Sequence, residues 1–174
     1  MRELVTMPDA EILRELTVWT ARLTLAVFLV AFVLLGKRTA SFAQSLACRI
    51  CGVMMALHLA ALTTLASLNK EPPLSFGSPL ELIVSFGGAG AALVLVIGAL
   101  AWAQPWYRWL QYWPWGVFFF TYVFLPQRGQ QSPRVAATPH VFGPVVATLL
   151  VALCWRAWLD WRASRTDLVD ERAD

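Results

Sequence analysis

Two histidines and one pair of cysteines are the side chains whose type and spacing could do chemistry in this chain. His58 sits in Gly52-Val-Met-Met-Ala-Leu-His-Leu-Ala-Ala-Leu-Thr63, inside a long apolar run. An imidazole at such a position either ligates a metal centre or is a neutral polar group turned inward, hydrogen-bonded to Thr63, Thr64, a backbone carbonyl or water. His140 follows Pro139 at the head of another apolar run and reads as part of a first helical turn, where water is available. Cys48-Arg-Ile-Cys51 is a C-x-x-C. Covalent haem attachment needs a histidine directly after it, and Gly52 is there; a zinc site needs two further ligands nearby. The pair therefore reads as two small residues at a helix interface. Gly87-Gly88-Ala-Gly90 lacks the preceding strand and following Lys-Ser or Lys-Thr of a phosphate loop, so it reads as a packing face. Glu81 reads as a first-turn carboxylate favoured by the helix dipole. No nucleophile–base pair or paired carboxylate stands out, which leaves hydrolytic chemistry without a constellation.

The elements that must hold these residues follow from composition. The chain has 174 residues, of which 58% are hydrophobic and 14% charged, and its mean hydropathy is +0.58. That is too apolar for a soluble domain of this size. A helix needs about 20 apolar residues to cross the hydrocarbon core. Such runs lie at about 16–35, 46–68, 80–103 and 139–159, and a fifth, aromatic segment covers 106–125. Gly36-Lys37-Arg38 stops the first run, and Asn69-Lys70-Glu71-Pro72-Pro73 stops the second. In the first run Arg22 is expected to snorkel to the near interface. The aromatic segment either crosses or re-enters, and Pro114 should kink it or start it late. The expected fold is thus all-α: a polytopic helical bundle in the inner membrane, with five transmembrane helices preferred and four plus a re-entrant segment as the alternative. Both arrangements leave residues 160–174 as a cytoplasmic tail. Each places eight of the fourteen Lys and Arg residues inside and six outside, so the positive-inside rule does not separate them.

Trp19-Thr-Ala-Arg-Leu-Thr-Leu25, the second run with its His-Leu-Ala-Ala, Gly87-Gly88 before Ala99-Leu100, and Trp106-Tyr-Arg-Trp-Leu-Gln111 occur in that order. In this they resemble the small ferric-reductase-like transmembrane proteins, a superfamily of haem-b-binding helical bundles, over residues 17 to 160. The resemblance implies a haem b held between imidazoles on facing helices. It implies cofactor binding by His58 and at Gln111, with Arg22 and Arg108 in the same motifs, and makes His58 the ligand of the haem iron. Met55 and Gln111 stand where the family has further histidines.

Three functions remain open at the level of sequence. One is a haem-b electron-transfer subunit; without a flavin or nicotinamide module it would take electrons from a partner protein. The second is a haem-free structural or accessory subunit of a membrane complex. The third is a small transporter subunit, for which the two similar halves with broken helices are not visible. In each the lipid bilayer is the surrounding partner, and the basic balance reflects topology instead of nucleic-acid binding.

Overall fold

The computed structural model describes residues 7–35, 42–69, 79–128 and 139–170. Among them the chain is all helical: α1 (Met7–Leu35), α2 (Phe42–Asn69), α3 (Pro79–Ala101), a single short turn α4 (Pro105–Leu110), α5 (Tyr112–Arg128) and α6 (Pro139–Asp170). α1 and α2 are described as far as Leu35 and Asn69. Lys37, Arg38 and the paired prolines lie outside the described residues.

The aromatic segment is two helices, not one span from Trp106. The backbone turns after Ala101, where Gln104 N–H bonds the Ala101 carbonyl at 3.0 Å. Pro105 opens α4 in the first helical position, which needs no N–H. Pro114 then supplies the break: it has no N–H for the Leu110 carbonyl, so regular α4 ends there and α5 begins at Tyr112. Two bonds carry the chain across, Gln111 N–H to Tyr107 O at 3.2 Å and Trp115 N–H to Gln111 O at 3.4 Å. At the other end of the chain, α6 continues well past Leu159, to Asp170.

The five long helices form a ring. α1 packs on α2, α2 on α3, α3 on α5, α5 on α6, and α6 closes on α1. Consecutive members run antiparallel. Cys51 of α2 meets Thr24 of α1. Trp113 and Val117 of α5 lie against Gly90 and Gly87 of α3, in reversed order. Tyr112 and Tyr122 of α5 meet Asp160 and Phe142 of α6. An odd number of alternating helices leaves the first and last parallel, and α1 and α6 are: Phe32, near the end of α1, lies against Arg156, just past the middle of α6. Inside the ring, Phe28, Phe32, Cys51, Met55, Ala92, Leu95 and Ala152 are buried, with Trp115 and Phe118 packed on them.

Glycines set the closest approaches on α3. A Cβ on Gly98 would overlap the Tyr107 hydroxyl, and one on Gly90 would stand 2.8 Å from the Trp113 Nε1. Across α2, one on Gly52 would stand 2.8 Å from the Ala99 Cβ. Gly87-Gly88-Ala-Gly90 is therefore in part a packing face, while Gly88 faces open space.

Among the described residues three helices are long and apolar enough to cross a membrane: Glu11–Leu35, Phe42–Leu68 and Phe142–Arg165; the apolar stretch Ser85–Ala101 of α3 is shorter. Large apolar side chains such as Leu100, Val151, Leu93 and Val53 point outward and are more than half exposed. A soluble bundle would not leave such faces in water, whereas a bilayer satisfies them. The chain is a multi-pass membrane helical protein.

Candidate functional site

His58 lies on the face of α2 that meets α1. Its Nδ1 is 3.1 Å from the Thr17 carbonyl and 3.1 Å from the Thr20 hydroxyl oxygen. A carbonyl can only accept, and the Thr20 hydroxyl already donates to the Leu16 carbonyl at 2.8 Å. Nδ1 therefore carries the proton and Nε2 the lone pair. The expected partners on α2 itself, Thr63 and Thr64, bond the carbonyls of Leu59 and Ala60 one turn back. The actual partner is an α1 stripe that the sequence reading passed over. Thr17, Thr20 and Thr24 recur at i, i+3 and i+7, one helical face; Cys51 donates to the Thr24 carbonyl at 3.8 Å and His58 to Thr17 and Thr20. That stripe was legible as a spacing of hydroxyl residues in an otherwise apolar run.

Gln111 is at the other end of the bundle. It is 1% exposed and one turn from Tyr107, which clusters with Leu35, Ala47 and Cys48. Its Oε1 has no hydrogen-bond partner among the described residues. Cys48 and His58 are ten residues apart on α2, about 15 Å along the axis, with Met55 and the Phe28–Phe118 pair, ring centroids 5.2 Å apart, lying between those levels. The ring interior thus does not set Gln111 across from His58, and the residues present do not fit a haem held between the two. Arg22 is on the outer face of α1, its guanidinium 5.3 Å from the Trp19 ring. Arg108 belongs to the Gln111 end, its Nε donating to the Leu35 carbonyl at 3.3 Å. His140 is the second residue of α6, and its side chain falls outside the described residues. No group of three or more His, Cys, Asp or Glu that could hold a metal occurs among the described residues.

The densest polar arrangement among the described residues surrounds one that lies outside the motifs singled out in the sequence. Arg156 is 1% exposed. Its Nη1 donates to the Phe32 carbonyl at 3.0 Å, its Nη2 to the Arg108 carbonyl at 2.8 Å, and its Nε to Asp160 at 3.2 Å. Its guanidinium also lies 4.8 Å from the Phe32 ring and 5.1 Å from the Tyr112 ring, while Tyr112 donates to the same Asp160 oxygen at 3.0 Å. Phe32 is in the last turn of α1, where carbonyls lack helical partners and the dipole is negative. Arg156 and Arg108 place positive charge at the negative end of α1, on the Phe32 and Leu35 carbonyls. The signal in the sequence was Arg156-x-x-x-Asp160, an i,i+4 pair between tryptophans in a run otherwise long enough to cross.

No known protein family, curated protein or solved structure matches this chain. What the geometry supports therefore rests on the bundle itself: two polar ties, one at each end, around an aromatic interior.

Proposed function

We propose that the chain is a five-span inner-membrane protein, α1, α2, α3, α5 and α6 each crossing, that serves as a haem-free structural or accessory subunit of a membrane complex. The observation that carries this reading is the use made of the polar groups. Arg156, Asp160 and Tyr112 satisfy one another and two helix carbonyls. His58 ties α2 to α1. These groups lock helices together, and the space between them is filled by Phe28, Phe32, Met55 and Phe118. The C-terminal end of α6 is cytoplasmic, in keeping with Arg162 and Arg165 toward that end.

A second reading is favoured by the orientation of His58. Histidines that bind metals as a rule donate their other N–H to a carbonyl or carboxylate, and Nδ1–H on the Thr17 carbonyl leaves Nε2 as such a donor atom. In that reading the chain is an electron-transfer subunit like the ferric-reductase-like proteins, with His58 the sole protein ligand to a haem b and electrons supplied by a partner. An absorption spectrum of the purified protein, oxidised and dithionite-reduced, after expression with ample haem, separates the two. The accessory reading expects no Soret band, and His58→Ala to cost only about 1 kcal/mol of stability through the lost interhelical bond. A Soret and α band that His58→Ala removes would establish the second reading and overturn the first.

A further inference from the structure

Four of the chain's seven sulfur side chains fall within eight residues of α2: Cys48, Cys51, Met54 and Met55. Three of them are turned into the bundle. Residues 48, 51 and 55 recur at i, i+3 and i+7, one helical face, and Cys48, Cys51 and Met55 are all buried. Both thiols are free, and both face α1. Cys51 donates to the Thr24 carbonyl, Cys48 packs with Ala31 and Leu35, and Val27 lies against both clusters. The two sulfurs are close enough for the charge of one to bear on the other. Side chains three apart on a helix have Cβ atoms about 5–6 Å apart, a spacing that two metal–thiolate bonds of about 2.3 Å each bridge.

The surroundings select the metal. Zinc takes four His, Cys, Asp or Glu ligands in a structural site, and no group of even three forms among the described residues. Thiolate donors beside a thioether suit Cu(I), a soft monovalent ion for which two thiolates suffice. Such a centre carries one negative charge. Cys51 packs with Phe32 and Cys48 with Leu35, and the carbonyls of those two residues hold Arg156 and Arg108, so compensating charge stands on the same turns of α1. A second observation marks the place. Tyr107 packs with Cys48, and its hydroxyl is within electrostatic reach of both thiols. The Gln111 carboxamide faces that hydroxyl, yet its Oε1 is buried with no hydrogen-bond partner among the described residues. A core built only for packing avoids such an acceptor, whereas a polar site retains one.

We propose that Cys48 and Cys51 hold one Cu(I) ion between their thiolates, at the Gln111 end of the bundle. Binding breaks two S–H bonds, forms two Cu–S bonds and releases two protons to solvent; the copper stays Cu(I) throughout. The site goes beyond the accessory reading and does not depend on it, since it uses neither His58 nor haem. The test titrates the full chain, purified in mild detergent under anaerobic conditions, with Cu(I) presented as its bicinchoninate complex, whose colour fades as the protein takes the ion. One Cu(I) per chain is expected. X-ray absorption at the copper edge should show a shell of sulfur alone, a readout that needs no variant. Cys48→Ser and Cys51→Ser should each abolish uptake with helicity retained; Cys48→Ala and Cys51→Ala serve if a serine loses helicity. Cys154→Ser, which alters the exposed thiol, should leave uptake unchanged. Zn(II) at the same concentration should not displace the copper. No uptake against the competitor, uptake that survives loss of either Cys48 or Cys51, uptake lost with Cys154→Ser, a copper shell of nitrogen or oxygen, or displacement by Zn(II) would overturn the proposal. The haem spectrum is read separately, because copper on a thiolate pair adds no Soret band.

Discussion

Arg156 carries a full charge in a nearly anhydrous position, and every atom that could donate toward the bundle has an acceptor. Removing one partner from such an arrangement strands the others, which is where the energetic cost arises. Arg156→Met should lower stability by about 3 kcal/mol, read by loss of helicity on titration with denaturing detergent. Asp160→Ala should cost less, since Asp160 is 31% exposed and water can replace part of what it supplies. The double variant should fall short of the sum, because each single change removes the same pair. Additive losses would mean that the two residues act separately. His58 was legible from the sequence as a polar group in an apolar run, and the expectation of a backbone carbonyl partner matches Thr17. Which carbonyl could not be read, because it depends on the rotation of α1 about its axis, and that is set by packing along its whole length.

Among the elements, boundaries imposed by proline and glycine were the most legible. Pro114 announced a late start for α5, whereas the stop signals after α1 and α2 lie outside the described residues. The separation of α4 was not legible, because an aromatic run of that composition is compatible with one continuous helix until Pro105 and Pro114 are placed in register with the turn at 102–104. The small residues of α3 are a sharper case. Their abundance marked a packing face, but only the neighbours say which glycine is needed. Gly98→Ala should destabilise by about 1–3 kcal/mol, since the Tyr107 ring must move. Gly90→Ala meets the edge of Trp113, whose Nε1–H bonds the Gly87 carbonyl at 3.1 Å, and should also destabilise. Gly88→Ala has nothing within 4 Å and should be neutral within about 0.5 kcal/mol. Thermal unfolding of the three variants in one detergent checks the order. A Gly88→Ala as damaging as Gly98→Ala would contradict the α3/α4/α5 packing.

For the whole molecule, the parity of the ring is what supports the proposed five-span topology, which residue counts left open. The totals of Lys and Arg on each side are the same for four spans as for five, eight inside and six outside, although different residues make them up. The proposed five spans are supported by a long-range contact that sequence periodicity does not encode: Arg156 of α6 reaches Phe32 of α1, so the end of α1 and the end of α6 share one side of the bundle. A four-span arrangement with a re-entrant aromatic segment would instead put the start of α1 beside the end of α6. The direct measurement is a pair of reporter fusions in the intact chain, one ahead of α1 and one after α6, each carrying a tag active only in the cytoplasm or only outside it. The five-span ring predicts a cytoplasmic tag after α6 and an external one ahead of α1; both tags on the same side would contradict it.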